Sequence, residues 1–166
     1  SVRELQRRFM VDKAQAKRVR AMAMALYDDA APRRNGEIRR ELGWACDLHE
    51  LGMMVSHHDH HRHSAYLLAH VDAPGFSQSQ QRRLGALVLG QRGGLRKIEA
   101  ILTAETVAWQ VLCLRLGVIT CHARGDTEPQ ALRLKRDGAK VTLACKRAWA
   151  ETHPRTVYLL EQEMLA

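Results

Sequence analysis

Aromatic residues are scarce in this sequence, 5% of the chain, so a folded core has to come mainly from Leu, Val, Ala and Met. The same scarcity removes the stacking platforms on which single-stranded nucleic acid rests, so nucleic acid is not an expected partner. No stretch approaches the roughly 20 consecutive apolar residues that cross a bilayer. The opening Ser1-Val2-Arg3-Glu4-Leu5-Gln6-Arg7-Arg8 holds no apolar run of the kind that forms a secretion signal. The four cysteines, Cys46, Cys113, Cys121 and Cys145, contain no CxxC pair, and three of them sit among apolar neighbours, as reduced buried thiols do. A cytoplasmic home without membrane insertion is the expectation. Internal repeats, low-complexity tracts, Gly-rich phosphate loops and paired acidic motifs are also absent, and no histidine precedes His49.

What is present in excess is positive charge. Twenty-six Lys and Arg face eighteen Asp and Glu, a net charge of +8, and twenty of the cations are Arg. Arginine favours forked contacts to phosphate oxygens. A balance this basic fits a polyanionic partner, and RNA, DNA, nucleotides and polyphosphate all satisfy it, as does plain solubility charge. At 166 residues, 46% of them hydrophobic, the chain has enough material for one ordinary domain with a small appendage, and disorder is excluded.

Helical spacing dominates the first three-quarters. Residues 2–9 and 13–30 read as helices, the second with Asp12 as its cap and Val19, Met22, Ala23 and Leu26 as its stripe. Residues 32–36 read as a turn, 37–54 as a helix passing through His49-Glu50, and a further helix carries Ala65, Leu68 and Ala69. Ser77 is a candidate cap for a helix over 78–89, and residues 90–94 form a Gly-rich loop containing Arg92. One long helix is predicted over 97–119, apolar on most of its circumference (Val107, Ala108, Val111, Leu112, Leu114) and therefore central. After Arg124 the pattern alternates about Asp137-Gly138, which signals a hairpin, and Pro154 suits the first turn of a last helix. The prediction is a mainly α protein: an all-α bundle over 1–125 and a small hairpin-plus-helix module over 126–166.

Six of the nine histidines, His49, His57, His58, His60, His61 and His63, fall within fifteen positions. His57 and His61 lie four apart, and on a helix starting by His57 they share a face suited to a divalent ion. A helix N-terminus with Arg62 and several imidazoles is equally suited to an anion. A solvated His-rich turn is the bland alternative, and for the isolated His70, His122 and His153 it is preferred.

A His followed by a carboxylate at a helix end of an all-α bundle resembles the HD phosphohydrolase superfamily. That resemblance implies a metal held by an upstream His, a His-Asp pair and a later Asp on a central helix. Here the pair is His49-Glu50, no upstream His exists, and Val118, after Leu114-Arg115-Leu116-Gly117, takes the place of the last Asp. The metal set is therefore degenerate. The run Leu48-His49-Glu50-Leu51-Gly52, with His57, His61-Arg62-His63-Ser64-Ala65-Tyr66-Leu67-Leu68 and Pro74-Gly75-Phe76-Ser77, resembles the C-terminal region of the exopolyphosphatase and guanosine pentaphosphate phosphatase family. So do Arg8-Phe9, Val11-Asp12 and Gln15-Ala16-Lys17-Arg18-Val19, and the likeness spans nearly the whole chain in order. Gln91-Arg92 stands where that family leads one to expect His-Arg.

The resemblance implies that this chain is an HD-like C-terminal half that binds inorganic polyphosphate and contributes to a homodimer. The catalytic half, with an actin-like fold and Mg²⁺, would then lie outside the chain, and this region alone would be neither catalytic nor in need of a cofactor. A phosphate-facing surface of His57, His61, Arg62 and His63, with Arg92, Arg96 and Lys97 by the Gly-rich turn, is the expected site. Arg33-Arg34 and Arg39-Arg40 fit either that surface or a solvated face. A guanosine pentaphosphate phosphohydrolase, and an independent metal-dependent HD-type nucleotide hydrolase, are the alternative readings.

Overall fold

The computed structural model describes residues 1–30, 36–102, 104–138 and 140–165, and the chain is mainly α with one small hairpin. The turn expected over 32–36 and the pair Arg33-Arg34 fall largely or wholly outside the described residues. Helix α1 (Val2–Arg8) leads to α2 (Lys13–Ala30), which starts at Asp12: the Gln15 N–H donates to Asp12 Oδ1 at 3.0 Å. Helix α3 is Gly36–Leu48. It stops six residues short of the predicted end, and a separate 3-10 turn, Leu51–Met54, follows. Helices α4 (His60–His70) and α5 (Gln78–Leu89) come next, α5 opening on a capping box in which Ser77 and Gln80 exchange hydrogen bonds.

The long helix predicted over 97–119 is interrupted. A 3-10 turn (Arg96–Ile98) runs into the short α6 (Glu99–Leu102), and α7 (Glu105–Thr120) begins afresh after Ala104, whose backbone is extended at φ −80, ψ 121. Apolar spacing continues on both sides of the break, so periodicity could not reveal it. Strands β1 (Leu132–Asp137) and β2 (Lys140–Cys145) pair antiparallel with Leu134 opposite Leu143. The short helix α8 (Arg147–Thr152), unpredicted, precedes α9 (Pro154–Leu165).

The centre of the bundle is the α2–α7 pair, with α3 and α5 beside it and α4 lying along α5. Gly117 lets α2 and α7 approach closely: a Cβ there would stand 3.1 Å from the Val19 carbonyl oxygen and 3.3 Å from Ala23 Cβ. Gln15 Nε2 donates to the Cys121 carbonyl at 2.8 Å and fastens the start of α2 to the end of α7. Ala131, Leu132, Leu134, Trp149 and Leu160 share one buried cluster with Leu26, Leu114 and Leu116, so the core continues across residue 125. Arg115 of α7 reaches outward from this core to α9, where its guanidinium meets Glu163 with both side chains nearly buried (11% and 13% exposed). Its Nη1 also donates to the carbonyls of Gly90 (2.9 Å) and Gly93 (3.0 Å), fixing the Gly-rich turn. Among the described residues no helix is long and apolar enough to cross a membrane.

The tightest backbone approach lies at Gly52. A Cβ there would collide with Ser64 N and stand 2.6 Å from His63 Cβ and 2.7 Å from the His60 carbonyl oxygen. Backbone cannot yield as a flexible side-chain tip can. Gly52→Ala should therefore lower stability by about 2–3 kcal/mol, the upper part of the overpacking range. Gly36→Ala, at a helix start with open space, should be neutral or slightly stabilising. Urea unfolding of the two variants beside the parent chain checks both.

Candidate functional site

The histidine segment is built around that close approach. The Gly52 N–H donates to Ser64 Oγ at 2.7 Å, a fully buried bond that pins the 3-10 turn to the first turns of α4. Gln91 secures the other side, its Nε2 donating to the His49 carbonyl (2.8 Å) and the Val88 carbonyl (3.0 Å). The residue found in place of an expected His is thus a buried bracket. His49 itself is 2% exposed, and its Nδ1–H donates to the Cys46 carbonyl at 2.6 Å. Burial holds its imidazole below the ordinary value against the pull of Glu50.

Glu50 is closed by an arginine. Both nitrogens of the Arg124 fork reach the two carboxylate oxygens, and the same Nη1 that meets Glu50 Oε1 at 3.2 Å meets Asp12 Oδ2 at 3.0 Å. Asp12 is held below the usual carboxylate range chiefly by the Gln15 N–H, burial opposing and Arg124 assisting. The pair His49-Glu50 accordingly does not fit a metal centre, because its carboxylate already has a fixed internal cation. Among the described residues no group of three or more His, Cys, Asp or Glu side chains could hold a metal ion. Val118 is packed against the core.

Helix α4 begins at His60, after Asp59 in a left-handed conformation (φ 52, ψ 35). His57 therefore lies outside the helix, and the shared helical face with His61 does not form. His57 is exposed and lines a different concavity, about 410 Å³, with Phe9, Asp12, Glu50, Met54 and Arg124. His63 is half-buried against Gly52, and Arg96 is exposed on its 3-10 turn. Arg39, by contrast, is taken by Asp28 in a forked pair at 2.8 Å.

The fold does bring His61, Arg62, Arg92 and Lys97 together. Lys97 Nζ donates to the Arg92 carbonyl at 2.7 Å, which closes the Gly-rich turn on itself. Burial lowers the affinity of Lys97 for its proton, and Arg62, Arg115 and Arg92 lower it further, with Asp59 opposing. His61 is pushed down to about 4, by burial first, then Lys97 and Arg92. His60 is likewise pushed down to about 4, burial leading, with Glu50 pulling the other way and His49 and Arg92 adding to the fall. Ser64, Gln91, Arg115 and Arg124 had no isolated signal in the sequence. Ser64, Gln91 and Arg115 were marked only by their place within longer motifs, and Arg124 by none.

Fold and site define a mainly α domain in which a His–acid pair is locked by an arginine beneath a surface crowded with cations. Residues 1–164 match the family model described as Ppx/GppA phosphatase, domain III, and the chain belongs to the Ppx/GppA phosphatase family, a family of hydrolases.

Two predictions follow from the buried polar groups. Arg124→Ala strands the Glu50 carboxylate and should cost roughly 2 kcal/mol, below the ~3–5 kcal/mol of fully buried pairs because Arg124 is partly solvated. A double-mutant cycle with Glu50→Gln reads the coupling. His49, His60 and His61 are more basic unfolded than folded, so the unfolded chain binds more protons below about pH 6.5, the ordinary histidine value. Stability should fall as the pH drops from 6.5 toward 4, and urea midpoints measured across that window check the sign.

Proposed function

We propose that this chain is the polyphosphate-binding and dimerisation region of an exopolyphosphatase. The catalytic half, outside this chain, would use Mg²⁺ to hydrolyse the terminal phosphoanhydride bond of inorganic polyphosphate and release phosphate. The observation that carries the reading is the convergence of Arg62, Arg92 and Lys97 on one surface with Asp59 opposing them. Like charges gathered at a cost in proton affinity are the expected preparation for a polyanion, whose phosphate oxygens accept charge-assisted hydrogen bonds. A chain of phosphates without bases needs cations and N–H donors, and this surface supplies them without aromatic platforms.

Arg115 sets the height of the surface by holding the turn through the Gly90 and Gly93 carbonyls, so it acts as support and not as a contact. For dimerisation the supporting feature is the apolar strip along β2 and α9, where Val141, Leu143, Val157 and Met164 line one concavity of about 390 Å³. Cytoplasmic residence is supported by four free cysteines, three of them buried.

The test is a titration with labelled long-chain polyphosphate at several salt concentrations, with single-stranded DNA of matched charge and guanosine pentaphosphate as competitors. Arg62→Ala and Arg92→Ala should each weaken binding about tenfold, the scale of one hydrogen bond to a charged group. Each should also flatten the dependence of log K on log salt by roughly 0.7–0.9, by analogy with counterion release. Arg39→Ala, whose cation is paired with Asp28, should leave both unchanged. Equal displacement by DNA would reduce the surface to generic charge, and preferential displacement by guanosine pentaphosphate would move the substrate to that nucleotide.

A further inference from the structure

His60 and His61 are buried, at 7% and 5% exposure, and the Nδ1 of each is enclosed without a hydrogen-bond partner. Enclosed polar nitrogens almost always find partners, so two adjacent orphans are an anomaly that asks for a ligand or a change of state. Both stand in the first turn of α4, an eleven-residue helix whose leading N–H groups and partial positive charge face the same end.

The charged neighbours of His61 come from every side. Arg62 and Asp59 belong to its own helix start, and Arg92 and Lys97 come from the Gly-rich turn. Arg115 stands behind Lys97 from α7, while α5, packed along α4, turns its Arg83 away to Glu41. His60 lies on the inner side, facing His49, Arg92 and a Glu50 already held by Arg124. The field at His61 is therefore strongly positive while the surface is empty.

We propose that His61 makes anion binding on this surface proton-linked: its imidazole is neutral while the surface is empty and takes a proton from solvent when a phosphate chain occupies it. The inference rests on the anion-binding reading above. An occupying phosphate cancels the field of Arg62, Arg92 and Lys97, and its oxygens accept from imidazolium N–H groups. Both changes favour the protonated ring, whose empty-site value is about 4. Protonation makes both ring nitrogens of His61 N–H donors. The sign follows by linkage: binding that takes up a proton strengthens as pH falls, and each unit of rise at His61 is worth up to about tenfold in affinity below both values. Lys97, whose hold on its proton the same cations lower, moves in the same direction.

The experiment is an NMR titration of the histidine ring resonances of the whole chain over a range that brackets the empty-site value of about 4, with and without saturating long-chain polyphosphate, whose internal phosphates are strong acids and stay ionised there. Saturation should raise the His61 midpoint by a unit or more. Calorimetry at pH 5 in two buffers of different ionisation heat should show fractional proton uptake that falls in His61→Gln, whatever the affinity of that variant. An unmoved His61 midpoint on the saturated wild type, or equal uptake by wild type and variant, overturns the proton link and leaves the anion reading standing. Failure of the wild-type chain to bind polyphosphate at any pH overturns both.

Discussion

The contact on which the site depends is the one between Gly52 and the first turns of α4. The absence of a side chain at Gly52 brings the 3-10 turn within hydrogen-bond range of Ser64 and forces His60 and His61 inward. With the two rings buried, the start of the helix and Arg62 are presented to the Gly-rich turn instead of being screened by a mobile histidine loop. Arg92 and Lys97 then share one electrostatic neighbourhood with Arg62. The segment that looks richest in chemistry is thus divided by packing into a buried half that sets geometry and an exposed half that carries charge.

The lock on Glu50 follows from similar economy. A His–acid pair in an α bundle invites a metal, yet here Arg124 delivers its positive charge through a fork that also reaches Asp12. A guanidinium is always protonated and needs no vacant position, so the joint between α2, the end of α3 and the segment after α7 stays closed over the physiological pH range.

Much of the fold was legible because it is written in periodic or capped segments. The bounds of α2 and α5, the hairpin and the proline-led α9 were all readable from Asp12, Ser77, Asp137-Gly138 and Pro154. Two features escaped for the same reason. The early end of α3 and the break before α7 are short local events inside continuous apolar spacing, which a count of hydrophobic positions cannot register. His61, Arg62, Arg92 and Lys97 were named together from the sequence, and in the fold they are electrostatic neighbours. The condition under which His57 and His61 would share a helical face is not met, because Asp59 takes a left-handed backbone and the helix starts only at His60. The roles of Gln91 and Arg124 depend on partners about forty and more than seventy residues away, a distance that local patterns do not encode.

Arg115 divides its hydrogen bonds between two loosely related parts of the chain, the Gly90 and Gly93 carbonyls on one side and the Glu163 carboxylate on the other. A helix at the edge of a domain opens locally at lower free energy than the core, and such excursions are the cheapest motions a folded chain has. Each time α9 lifts, Arg115 loses its counter-charge while still holding the turn, and the surface beside Lys97 gains an unneutralised cation. The electrical potential of the Gly-rich turn is thereby tied to whether the last helix is seated.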